Sequence, residues 1–250
     1  MADPVLRIAQ ASVGYTPRRA VFENLSFSVE RGQVAAVLGP NGRGKTTLLK
    51  SIMGILKPLA GSITRTEEPA FVPQNTQVTI DYSVIDIVLM GRARHIHMLG
   101  TPGADDYRHA RAALDRLGIR HFEDRRITDL SGGERQLVLV ARALASGASL
   151  LLMDEPGSAL DFRNQQLILN TIKDLAAEGL TIVLTTHSPQ HALHAASHVL
   201  LMEAPGRHVF GPVDEVLVDE RLAAVYGMQV KNFTLETGGR PVRAIVPIFQ

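Results

Sequence analysis

The stretch GPNGRGKT, residues Gly39-Pro40-Asn41-Gly42-Arg43-Gly44-Lys45-Thr46, stands between the continuous apolar run VAAVLG and the segment KTTLLKSIMGIL. The apolar run reads as a strand buried on both faces. The segment after it has helical spacing and is expected to continue to Lys57-Pro58. A glycine-rich turn in that context aims backbone N–H groups at an anion, and the dipole of the following helix favours negative charge there. The spacing of glycines, lysine and hydroxyl is that of a phosphate cradle, with Lys45 reaching the β- and γ-phosphates, Thr46 ligating Mg²⁺ and Thr47 beside it. An ordinary glycine-rich turn is the alternative. The number of specified positions disfavours it.

Further along, LLLMDEP supplies a complement. Its apolar residues form a buried strand, and Asp154 emerges at the carboxyl end, where α/β sheets place ligands. Asp154 would hold the Mg²⁺, and Glu155 would polarise a water for in-line attack on the γ-phosphate. Alone, such a pair would read as solvated acids at a strand end. Paired with the cradle, it reads as the rest of a site that binds and hydrolyses a nucleoside triphosphate.

The surrounding pattern is α/β with a helical interruption. VLRIAQASVGY, LSFSVERG, GSIT and PAFVP read as strands. From residue 82 to 147, SVIDIVLMGRARHI, DDYRHARAALDRLGI and GGERQLVLVARALASG are helical patterns with no strand between them. Alternation then returns with SLLLMDEP, RNQQLILNTIKDLAAEG, LTIVLTTH, SPQHALHAAS and HVLLM. The expected organisation is one domain over residues 1–250. Residues 1–81 and 148–213 form the core, 82–147 an inserted helical subdomain, and 214–250 a tail with a helical start and a final β-like RPVRAIVPIF.

The bulk composition limits the function classes. An apolar fraction of 45% over 250 residues suits a globular core, and a net charge of +1 gives no bulk attraction to nucleic acid. Aromatics are only 5% and tryptophan is absent, which disfavours base-stacking platforms. Without cysteine there are no disulfides and no thiolate metal sites. The start MADPVLRIAQ shows no secretion signal, and no apolar run approaches the roughly 20 residues that span a bilayer.

A second glycine-rich stretch, LSGGERQ at Leu130–Gln136, raises the question of why one chain carries two anion-facing segments. This stretch resembles the signature motif of ATP-binding cassette (ABC) proteins, and the resemblance extends in chain order over nearly the whole chain. Tyr15 resembles the aromatic that stacks on adenine, Gln74 in FVPQN the Q-loop glutamine, SALD ending at Asp161 the D-loop, and His187 closing TIVLTTH the switch histidine. The resemblance implies a P-loop NTPase fold: a RecA-like α/β core with an antiparallel β subdomain, plus an inserted all-helical subdomain. It also implies that Gln74 contacts Mg²⁺ or the attacking water. Two copies would pair head to tail, so that Ser131, Gly132 and Gly133 of one face the γ-phosphate held by the other. Gly157 departs from the family's usual threonine, and Arg43 stands where a small residue is common.

Among family members without membrane spans, translation-type proteins generally carry two cassettes and repair proteins carry long coiled coils. Neither pattern is present. The expectation is therefore the ATPase subunit of an importer, a homodimer on the cytoplasmic face of the plasma membrane. Its partners would be two integral membrane permease subunits and, indirectly, an external binding protein, with no nucleic acid. A soluble, non-transport ATPase acting on nucleic acid or ribosomes is the alternative.

The segment DYSVIDIVLMGRARHIHMLGTPGADDYRHARAAL is similar to the type II importers of vitamin B12, siderophores and haem. YSVIDIVLMGR followed by HI is similar to the molybdate/tungstate importers of that class. The chain is expected to lack the C-terminal regulatory domain of many sugar cassettes. Residues 82–94 are expected to wall a groove for a permease helix, with Leu89 or Met90 as apolar anchor, Arg92 and Arg94 at the rim, and His95 and His97 nearby. His187, His191, His194 and His198 have helical spacing, but Ser188-Pro189 breaks the helix between the first two, so packing is favoured over a zinc site.

Overall fold

The computed structural model describes residues 4–16, 20–74, 81–97, 100–204 and 206–249. The first part of the chain forms β1 (Leu6–Gly14), β2 (Ala20–Val29), β3 (Val34–Leu38), α1 (Lys45–Ile52), β4 (Ala60–Arg65) and β5 (Ala70–Val72). Three helices follow, α2 (Val84–Leu89), α3 (Ala104–Arg116) and α4 (Gly132–Ala145), linked by short 3-10 turns. Alternation resumes with β6 (Leu150–Met153), α5 (Phe162–Ala177), β7 (Thr181–Thr186), α6 (Pro189–Ala195) and β8 (His198–Ala204). The last part comprises β9 (Arg207–Pro212), α7 (Val213–Val216), α8 (Asp219–Tyr226), β10 (Val230–Thr237) and β11 (Arg240–Pro247).

The central sheet has the order β5-β6-β7-β3-β8-β9, parallel except for β9 at the edge. Alternate residues of its strands enter two separate cores. Ala36, Leu38, Leu151, Met153, Ile182 and Leu184 face the helices, whereas Ala35, Val37, Leu150, Leu152 and Val183 face α1 and the antiparallel sheet β2-β1-β4. Burial on both faces explains why β3, β6 and β7 are uniformly apolar, relieved only by threonine, rather than alternating.

Several expected boundaries move. α1 stops at Ile52 instead of reaching Lys57, because Gly54 takes a left-handed conformation with φ of 79°. β2 begins at Ala20, ahead of the expected LSFSVERG. α2 is short and tightens into a 3-10 turn at Met90–Arg92. The core ends in an unexpected edge strand, β9, and in the tail the expected final strand, β11, pairs with an unexpected one, β10, as a hairpin. Arg92 is corrected from rim to interior. It is buried, with Nε donating to Asp106 at 3.1 Å and a terminal nitrogen donating to the Ala145 carbonyl at 3.1 Å. A guanidinium on the inner side of a helical turn meets an acid and a helix end before it meets water.

Candidate nucleotide site

The carboxyl ends of β3, β6 and β7 lie side by side, and each delivers part of one cluster. After β3, the turn reaches α1 through Gly44, the N-cap residue, at φ 87°. A Cβ on Gly44 would lie 2.2 Å from a methyl of Val21, so both conformation and space demand glycine. Gly42 is also left-handed, and Gly39 faces Met202, where a Cβ would come within 3.0 Å. Pro40 and Asn41 complete the turn. Arg43 is half-buried and Thr47 buried.

Lys45 is buried and folded back over this turn, its ammonium donating to the carbonyls of Gly39 (2.9 Å) and Pro40 (3.2 Å). The same ammonium pairs with Glu155 at 3.1 Å. Thr46 donates its hydroxyl to Asp154 at 2.8 Å, and Thr185 at the end of β7 donates to the other oxygen of Asp154 at 2.6 Å. The Thr185 hydroxyl in turn accepts the Glu155 N–H at 2.9 Å. Thus one threonine on the neighbouring strand orients both acids. Glu155 has φ of 44°, a conformation L-residues seldom adopt, held here by that network.

His187 leaves the end of β7 with its ring N–H donating to Glu155 at 2.9 Å. Burial alone would raise the Glu155 carboxyl, but hydrogen bonds and charge from Lys45 and His187 outweigh it and hold it below the usual range. Gln74 joins through Ser158. Its amide donates to the Ser158 hydroxyl at 2.9 Å, and that hydroxyl donates to the Glu155 carbonyl at 2.9 Å. Tyr15 is exposed beside α1, its phenol oxygen 3.5 Å from the Lys50 ammonium.

The signature residues form a different group. Ser131 is the N-cap of α4, reciprocally bonded with Glu134 in a capping box, so Gly132 and Gly133 occupy the first helical turn. Gly133 abuts Asn164, whose side chain would overlap a Cβ at 2.3 Å. Asn164 also donates to Asp161, the N-cap of α5, at 3.1 Å. Asn164 therefore links the signature to the SALD turn.

Sequence reasoning missed Asn164 and Thr185. Thr185 carried a weak signal, a hydroxyl residue in an otherwise apolar strand end. The glycine at 157 has a local partner, because a Cβ there would lie 3.0 Å from the His191 ring. His191 and His194 bond separately to Gln165 and Asn170 of α5, and burial lowers both. Among the described residues no group of three or more His, Cys, Asp or Glu is placed to hold a metal.

A groove of about 420 Å³ lies between Met53, Ile55, Phe71, Met90 and Arg94. Leu89 is buried and Met90 is 45% exposed, so Met90 is the residue presented to the groove. No described helix is long and apolar enough to cross a membrane.

The family model described as "ABC transporter" matches residues 22–158. The molybdate import ATP-binding protein MolC of Haemophilus influenzae is 43% identical over 90% of this chain and 88% of its own. The manganese transport system ATP-binding protein MntA of Synechocystis sp. is 34% identical over 86% of this chain and 87% of its own. A solved structure described as an inward-facing ABC transporter of metal-chelate type superposes with a TM-score of 0.94 at 38% identity, covering 99% of both chains.

Proposed function

The chain belongs to the ABC transporter family, as one of its ATP-binding subunits, and on that premise we propose that it powers an importer of a metal chelate or metal oxyanion. The observation that carries the site assignment is the convergence of Lys45, Thr46, Asp154 and Glu155 at adjoining strand ends. The Lys45 charge is satisfied by Glu155 and the turn's own carbonyls. Phosphate oxygens offer the ammonium a stronger set of acceptors. Its transfer to them leaves Glu155 ionised, with His187 alone beside it, and free to polarise a water. Tyr15 supplies an exposed ring for the adenine.

The hard oxygen donors Thr46 and Asp154, 2.8 Å apart, fit Mg²⁺, which takes few protein ligands and keeps several waters. When bound, the ion offsets phosphate charge. Gln74, Ser158 and Glu155 form a hydrogen-bonded line, which ties the end of the β5 segment to the acid of the site.

Two copies face head to tail, Ser131 and Gly133 of one completing the site of the other. Support for this lies in the separate contacts of the signature group and in the exposure of Ser131. Two permease subunits each dock a helix in the groove at Met90, on the cytoplasmic face of the membrane, and an external binding protein delivers the cargo. The molybdate relative supports an oxyanion cargo, and the manganese relative supports metal uptake in general.

The test is Glu155→Gln. Nucleotide binding should persist while hydrolysis falls roughly a hundredfold or more, the loss typical of a general base. Near-normal turnover would remove Glu155 from the mechanism.

A further inference from the structure

The His187 loop is gripped from behind by the C-terminal tail. Tyr226, the last residue of α8, donates its hydroxyl to the His187 carbonyl at 2.9 Å. Three residues past His187, the Gln190 side-chain carbonyl accepts the Ile245 N–H of β11 at 2.8 Å. The tail that makes these contacts is itself braced. Asp219 at the start of α8 accepts from both the backbone and the side chain of Asn232 on β10 at 2.8 Å, and Arg243 pairs with Asp214. Those hydrogen bonds, with Lys231, hold the Asp219 carboxyl down at about 2.

On the other side of the same loop the His187 ring N–H meets Glu155. The imidazole is about half exposed, so its main chain fixes its position more than its packing does. Ser188 N–H donates to the Thr186 hydroxyl and the Tyr226 hydroxyl donates to the His187 carbonyl, so the single peptide unit joining His187 to Ser188 is held at both of its polar ends.

We propose that Tyr226 is a positioning residue for His187, and that the tail acts through it as a clamp setting the histidine's approach to Glu155. The inference rests on the assignment of Glu155 and His187 to ATP hydrolysis. Burial raises the Tyr226 phenol, so it remains a neutral donor at working pH. Of the groups on its ring, only the hydroxyl carries the directional contact. Tyr226→Phe therefore removes the hydrogen bond and leaves the packing.

The experiment uses the full chain, with wild type and Glu155→Gln measured alongside. In Tyr226→Phe, kcat for ATP hydrolysis should fall about fivefold, the rate equivalent of one ordinary hydrogen bond, with KM for ATP unchanged. In chains carrying ring-labelled histidine, the His187 resonance, identified by its loss in His187→Ala, should shift. Those of the distant His109 and His121 should stay in place. A folded variant with unchanged kcat, a rise in KM in place of the fall in kcat, or an unmoved His187 resonance would each overturn the proposal. Should Tyr226→Phe fail to fold, Gln190→Ala loosens the same clamp from an exposed position, and the same two measurements, kcat and the His187 resonance, decide between the outcomes. Loss of the Glu155→Gln effect would instead count against the hydrolysis mechanism itself.

Discussion

At Gly44 two independent demands meet, a φ of 87° and contact with Val21. The conformation alone costs a non-glycine residue about 1–2 kcal/mol, and overpacking adds about 1–3 kcal/mol. Gly44→Ala should therefore lose about 2–5 kcal/mol of stability in chemical denaturation, with weakened ATP binding. Val21→Ala in the same chain should recover only the packing part, and full recovery would show the conformation to be unstrained. Such residues were legible in the sequence because the motif's requirements are local: glycine spacing, then lysine, then hydroxyl. Thr185 and Asn164 were not, since each acts on a residue brought near only by the sheet order or by packing of α4 on α5. Tyr226 gave no signal at all. Its partner is 39 residues away across the fold.

Elements followed the same division. The strands β3, β6 and β7 could be read because burial on two faces leaves an uninterrupted apolar run. β9 and β10 could not, because an edge strand and an exposed hairpin have no such pattern to keep. On the hairpin, Phe233, Leu235, Val242 and Val246 are all exposed, which inverts the usual guide from hydrophobicity to burial. Helix ends were misplaced where one glycine conformation decides them, as at Gly54.

The short α2 sharpens the groove argument, since Leu89 points inward and Met90 outward. Met90→Asp should abolish assembly with the permease subunits and keep basal ATP hydrolysis within about twofold, as a surface change costs within about 0.5 kcal/mol of stability. Leu89→Asp should instead misfold, because it buries an unpaired charge. Co-purification and ATPase activity measured on both variants check this. A folded Met90→Asp that still assembles would remove the groove from the coupling path.

For the whole molecule, the proposed pairing of two chains gives each of the two anion-facing segments a role. The cradle cluster has its lysine, acids and histidine in contact with one another, while the signature serine is exposed, and its hydrogen bonds among the contacts described run to Glu134 and Arg135 of its own helix. Because Ser131 is also a helix cap, a bulky replacement would mix lost stability with lost pairing, at about 1 kcal/mol for the cap. Ser131→Asp avoids this. Aspartate caps as well as serine and suits the helix dipole, but it sets a carboxylate against the partner's γ-phosphate. The decisive measurement is sedimentation of Glu155→Gln with ATP, with and without Ser131→Asp. The single variant should sediment as a dimer, and the double variant should bind ATP equally well yet remain a monomer. A double variant that still dimerises, or one that loses ATP binding as a monomer, would contradict a site shared between two chains.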